Sequence, residues 1–232
     1  MEMPLASRAL PRGPHNLTRG DVLASQRARM IDAMAAAVAH KGYPATTVGD
    51  VVAGAGVSRK TFYEHFRDKE ECFLAAFDAG VERLLAAIVA ARPEREGWPA
   101  MLRARVRAYL EGLASRPDFA RTFLIEVFAA GPRALERRAE VHARFAQLIA
   151  DLYADTRREF PWLPGVPEPI WTAAVGALNE VVTLHVRAHG AERLPELEDT
   201  LVYIQMALFA GPAAADSLSS RRSTPPPPAG GR

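Results

Sequence analysis

The chain has 232 residues, 49% of them hydrophobic and 24% charged, enough apolar content for a substantial core in one large domain or two modest ones. A formal net charge of +2 excludes a generally basic protein, so any surface that meets nucleic acid has to be local. The single cysteine, Cys72, excludes an internal disulfide and a cysteine-rich zinc site, and the longest apolar run, 170–186, is broken by Asn179 and Glu180 and falls short of a membrane span. These features predict a cytosolic (cytoplasmic) protein with no membrane partner.

Residues 1–20 carry Pro, Gly and the basic Arg8, Arg12 and Arg19 without apolar periodicity, and are expected to form an arm without fixed structure. The far end, 213–232, is rich in Ser, Pro and Gly and is expected to be a disordered tail. Between them good helix formers dominate and short alternating strands are missing, which predicts an all-α fold of about nine helices. The expected division is a three-helix unit over 21–67 followed by a larger helical bundle over 68–212.

The first helix spans about 21–40, with Ile31, Met34 and Val38 on one face, and stops at Gly42. A short second helix follows Thr47, an N-cap with Asp50 three positions on, and ends at Gly56. A third starts after Ser58 and runs to about Phe66; a fourth starts at Asp68 and continues along Phe73, Phe77, Val81, Leu84 and Ile88 toward Pro93. Later helices fall at roughly 98–115, 117–130, 132–160, 167–189 and 195–210, divided by Pro and Gly.

Two short helices around a glycine-containing turn, the second with a polar outer side, make a helix-turn-helix pattern. In the stretch 57-VSRKTFYEHFRDKEE-71, Phe62 and Phe66 lie four apart and face the core, while Lys60, Thr61, Tyr63 and Glu64 lie outside or flank that pair. Lys60 and Tyr63 suit phosphates, and Arg59 suits either a phosphate or the acceptors of a guanine. Lys69, with His65 close in sequence, marks a second phosphate site at the start of the fourth helix. A solvated amphipathic helix pair is the other reading of the same stretch, and Glu64 has no assigned role in either.

Residues 30-MIDAMAAAVAHKGYPATTVGDVVAGAGVSRKTFYEHFRDKEECFLAAF-77 resemble the N-terminal domain of the TetR family of transcriptional regulators. The Lys-Gly-Tyr end of the first helix, the Thr-Thr pair, the Ala-Gly-Val-Ser turn, the Thr-Phe-Tyr-x-His-Phe helix and the Asp-Lys-Glu start of the fourth carry the resemblance. Ala37, Val38 and Cys72 depart mildly from the residues usual there. The resemblance implies a repressor that binds a palindromic operator on double-stranded DNA as a homodimer, paired through its last two helices. It also implies release by a small-molecule effector. Thr47, Arg59, Lys60, Thr61, Tyr63, His65 and Lys69 fall on DNA-contact positions of the family.

Aromatic and apolar residues recur along the later helices, and the expected effector is therefore apolar or aromatic, with Trp98, Met101, Tyr109, Phe123, Phe145, Ile149 and Trp171 as candidate lining. Asn179, Glu180 and His185 do not have the spacing of a zinc site. No phosphate loop, nucleophile elbow or metalloprotease motif is present, and Cys72 has no partner base, so neither an enzyme nor a cofactor or metal is expected. The alternative of another class is a helical small-molecule-binding protein or enzyme with a vestigial DNA-binding unit.

Overall fold

The computed structural model describes residues 18–93 and 96–211. The arm up to position 17, with Arg8 and Arg12, and the tail from 212 lie outside the described residues. The elements are α1 Arg19–Lys41, α2 Val48–Ala55, α3 Arg59–His65, α4 Lys69–Ala90, α5 Trp98–Ala114, α6 Pro117–Leu124, α7 Pro132–Glu159, α8 Pro169–His189 and α9 Glu198–Ala210, with 3-10 turns at Glu126–Ala129 and Ala191–Leu197. The fold of the described residues is all-α.

Caps explain the helix starts. Thr18, Thr47, Ser58 and Asp68 each accept the backbone N–H three residues on, and at Thr18 and Thr47 an aspartate returns the bond to form a capping box. Arg19, expected in the arm, therefore lies in the first turn of α1. Gly56 closes α2 in the left-handed conformation at φ 62°, which only glycine adopts without strain. Arg29 of α1 donates to Ala55 O at 2.6 Å and satisfies the end of the same helix.

Two boundaries differ from the sequence reading. The helix expected over 117–130 stops at Leu124, and the chain tightens into a 3-10 turn before Gly131. The last α-helix begins at Glu198 instead of 195, because Pro195 has no N–H to donate and is carried in the preceding 3-10 turn.

The core is one connected cluster running from Met30 to Phe209. The three-helix unit is joined to the bundle through α1, which packs on α4 and α6. Thr122 of α6 donates to Ala35 O at 2.9 Å, Arg121 donates to Ala39 O at 3.0 Å, and Arg116 pairs with Asp32. At Gly80 the α4 backbone lets the Phe119 ring lie where a side chain would stand: a Cβ there would be 1.6 Å from Cε2. On the other side of α5, Arg103 bonds to both Glu198 and Asp199 at 2.6 Å, and Arg107 reaches Glu198, clamping the start of α9.

Candidate functional site

Phe62 and Phe66 are 0% and 1% exposed and anchor α3 against the core, as the sequence spacing predicts. Fixing those two rings turns the opposite face outward. Arg59, Lys60, Tyr63 and Glu64 are exposed, Tyr63 standing edge-on to Phe62 with ring centroids 5.4 Å apart. Thr47 is exposed at the N-terminus of α2, and Arg59 leans back toward it, its Nη2 only 3.5 Å from where a Cβ on Gly49 would lie. The fold thus brings Thr47, Arg59, Lys60 and Tyr63 to one side of the helix-turn-helix unit. Glu64 has no ion pair among the described residues, and the neighbouring Arg67 pairs with Asp68 and Glu71 instead.

Three predicted contact residues are engaged elsewhere. The Thr61 hydroxyl lies 2.9 Å from Ser58 Oγ at the α3 cap. His65 is half-buried with Nε2 3.5 Å from Gln26 Oε1, and burial, reinforced by the Arg27 charge, lowers its pKa. Lys69 donates to Tyr43 O and Thr46 O at 2.9 Å each and sits 4.2 Å above the Tyr43 ring. The expected anion site at the start of α4 is also taken: Asp68 caps Glu71 N, Arg67 N bonds to Glu71, and Glu70 adds a third carboxylate. Phosphate there would meet like charge, which corrects the sequence reading of this helix end.

Cys72 is fully buried with Sγ 3.9 Å from Met30 O, and burial pushes its thiol pKa up to about 12. It is a packing residue, unsuited to nucleophilic or redox chemistry.

Among the described residues the bundle has cavities of about 90 and 80 Å³. The first lies between α5, α7 and α9, with Trp98, Tyr109, Phe145 and Ile149 of the predicted residues on its wall. The second lies between α4, α6, α7 and α8 and is lined by Phe123, again with Tyr109 and Phe145. Tyr109, Phe145 and Leu178 border both. Met101 and Trp171 line neither; Trp171 packs on Tyr153 and Phe209 at 5.4 and 5.2 Å. Of the polar members, the sequence reading weighed only Asn179. Arg105 and Gln205 face the first cavity, and Arg138, His142 and Asn179 the second. The helical spacing of Trp98, Leu102, Arg105 and Tyr109 was the available signal for Arg105. His142 is kept toward its neutral form by burial and by Arg138, against a hydrogen bond that the ring donates to Asn179.

Among the described residues no group of His, Cys, Asp and Glu fits a metal, and no helix is long and apolar enough to cross a membrane.

A helix-turn-helix unit fused to a cavity-bearing helical bundle defines a class of regulatory protein. Residues 30–76 match the sequence profile of bacterial regulatory proteins of the tetR family. The helix-turn-helix unit of this chain is thus similar to the DNA-binding unit of that family. The chain is 33% identical over 103 residues to the HTH-type transcriptional repressor Rv1474c of Mycobacterium tuberculosis, a match covering 44% of this chain and 52% of that one, so the chain spans about half the length of this curated relative. The fold is similar to the fatty acid degradation regulator FadR of Bacillus halodurans, with 21% identity, TM-score 0.68 and coverage of 79% of this chain and 94% of that one. It is also similar to FadR of Bacillus subtilis in complex with stearoyl-CoA, with 19% identity, TM-score 0.62 and coverage of 79% and 97%.

Proposed function

We propose that the chain is a DNA-binding transcriptional repressor of the cytoplasm, working as a homodimer that a small effector with a large apolar part releases from a palindromic operator. The observation that carries this reading is the double duty of α6. Phe119, Ala120 and Phe123 line the second cavity from one side of the helix, while Arg116, Arg121 and Thr122 hold α1 from the other. An occupant that shifts α6 therefore shifts the first helix of the DNA-binding unit, and a ligand that favours one arrangement shifts the population toward it. In this division 21–67 reads DNA and 68–212 senses the effector.

Thr47, Arg59, Lys60 and Tyr63 meet the operator, and Thr61 steadies the α3 cap beside them. Lys69 and His65 act from behind, Lys69 by tying the α1–α2 loop that presents Thr47. The homodimer forms through α8 and α9, whose outer face leaves Leu184 54%, Tyr203 41% and Leu208 36% exposed. Trp98, Tyr109, Phe123, Phe145 and Ile149 line the effector site. The similarity to a regulator crystallised with stearoyl-CoA supports an effector with a long apolar part.

A gel shift against the DNA flanking the protein's own gene tests this reading. A shift that survives excess competitor DNA is expected. No shift at low salt would favour instead a helical small-molecule-binding protein whose helix-turn-helix is unused.

A further inference from the structure

The first cavity is apolar over most of its wall, yet three polar side chains on that wall have no hydrogen-bond partner among the described residues: Arg105, Tyr109 and Gln205. Gln205 is only 7% exposed and lines the cavity, so its amide is open chiefly to the cavity space. The placement follows from helix geometry. Arg105 and Tyr109 are four apart on α5, and Leu201, Gln205 and Phe209 form one stripe of α9. Donors dominate the set, because a guanidinium and a side-chain amide carry several N–H groups and the tyrosine adds an O–H. Burial disfavours the Arg105 charge and Arg92 opposes it, with Asp155 the nearby carboxylate that favours it. An acceptor-only anion answers both the excess of donors and the half-buried cation.

We propose that this cavity takes an amphipathic monocarboxylate, its carboxylate held by Arg105 and Gln205 and its apolar body lying along α5. The inference rests on the effector-binding reading above and narrows it to a ligand class. Trp98 and Tyr109, at the two ends of the α5 stripe, are roughly 16 Å apart at the helical rise per residue. Tyr109 and Phe145 stand between this cavity and the second, so a longer apolar body reaches the α6 wall only by displacing them.

The test is calorimetric titration of the full-length protein at pH 7.5 with decanoate and with 1-decanol, which share the chain and differ in the head. The wild type should bind decanoate about ten-fold or more tighter than 1-decanol. Arg105→Gln should abolish that preference, and Gln205→Leu should weaken decanoate several-fold while leaving 1-decanol unchanged. Equal binding of the two probes, no binding of either, or a preference that survives in Arg105→Gln overturns the proposal. If Arg105→Gln does not fold, as judged by circular dichroism, Gln205→Leu carries the same discrimination. Operator binding is read separately. Head-group discrimination without DNA binding removes the regulator reading alone, and DNA binding without discrimination removes the carboxylate site alone.

Discussion

Thr122 of α6 donates its hydroxyl to the backbone carbonyl of Ala35 in α1 at 2.9 Å, a fully buried bond between residues 87 positions apart. It lies one residue from Phe123, which lines the second cavity, so one turn of α6 faces both the ligand space and the DNA-binding unit. Thr122→Val keeps the shape and deletes the donor. It should cost about 1 kcal/mol, seen as a melting temperature lower by about 2–4 °C for a chain of this size, and should loosen α1 as measured by faster amide exchange near Ala35. Unchanged exchange there would show that the bond does not hold α1 to α6.

Gly80 and Phe119 make the second prediction. A methyl group on Gly80 would overlap the Phe119 ring, so Gly80→Ala should destabilise by about 1–3 kcal/mol through overpacking. Adding Phe119→Leu should recover part of that loss, and a double-mutant cycle with clear coupling checks it. Additive losses would place the strain elsewhere.

His65 supplies a pH prediction whose sign separates two roles. Its folded-state pKa lies below the ordinary 6.5, with burial the largest cause, so protonation favours the unfolded chain. Stability from this group is present above pH 6.5 and is lost as pH falls from there toward the lowered folded value. His142 shifts in the same direction for the same first cause, so His65→Gln is the control that isolates the first. If His65 positions α3 against Gln26, operator affinity should not rise between pH 8 and 6. A rise that His65→Gln removes would instead mean a protonated imidazole on a phosphate.

The outer face of α3 should divide by chemistry. Lys60→Ala is expected to weaken binding to all sequences alike and to reduce the slope of log affinity against log salt by about 1. Tyr63→Phe should lose one phosphate hydrogen bond with little change of slope. Glu64→Gln should tighten non-specific binding, because an exposed carboxylate with no ion pair among the described residues faces DNA uncompensated. Fluorescence anisotropy over a salt series reads all three.

The local features were legible in the sequence because their causes are local. Thr47, Ser58 and Asp68 cap helices through contacts three residues long, and the Phe62 and Phe66 spacing alone fixes which side of α3 is buried. Lys69 was not legible in this way. Its ammonium looks free in the sequence, but its partners are carbonyls 26 and 23 residues earlier, brought there only by the α1–α2 loop. Trp171 and Met101 share the apolar character of true cavity residues, and hydrophobicity does not tell a wall from a packed core. Arg105 and Gln205 escaped attention for the converse reason: on a helix rich in arginine, the one that turns inward differs from Arg103 and Arg107 only by the angle it occupies on α5.

The measurement that tests the central claim most directly is a footprint of the protein on the DNA flanking its own gene, with the bound stoichiometry determined in parallel. The account predicts two symmetric protected half-sites centred one helical turn apart, about 34–36 Å, filled by two copies of the chain or a multiple of two. Protection without two-fold symmetry, or by a single copy, would contradict it.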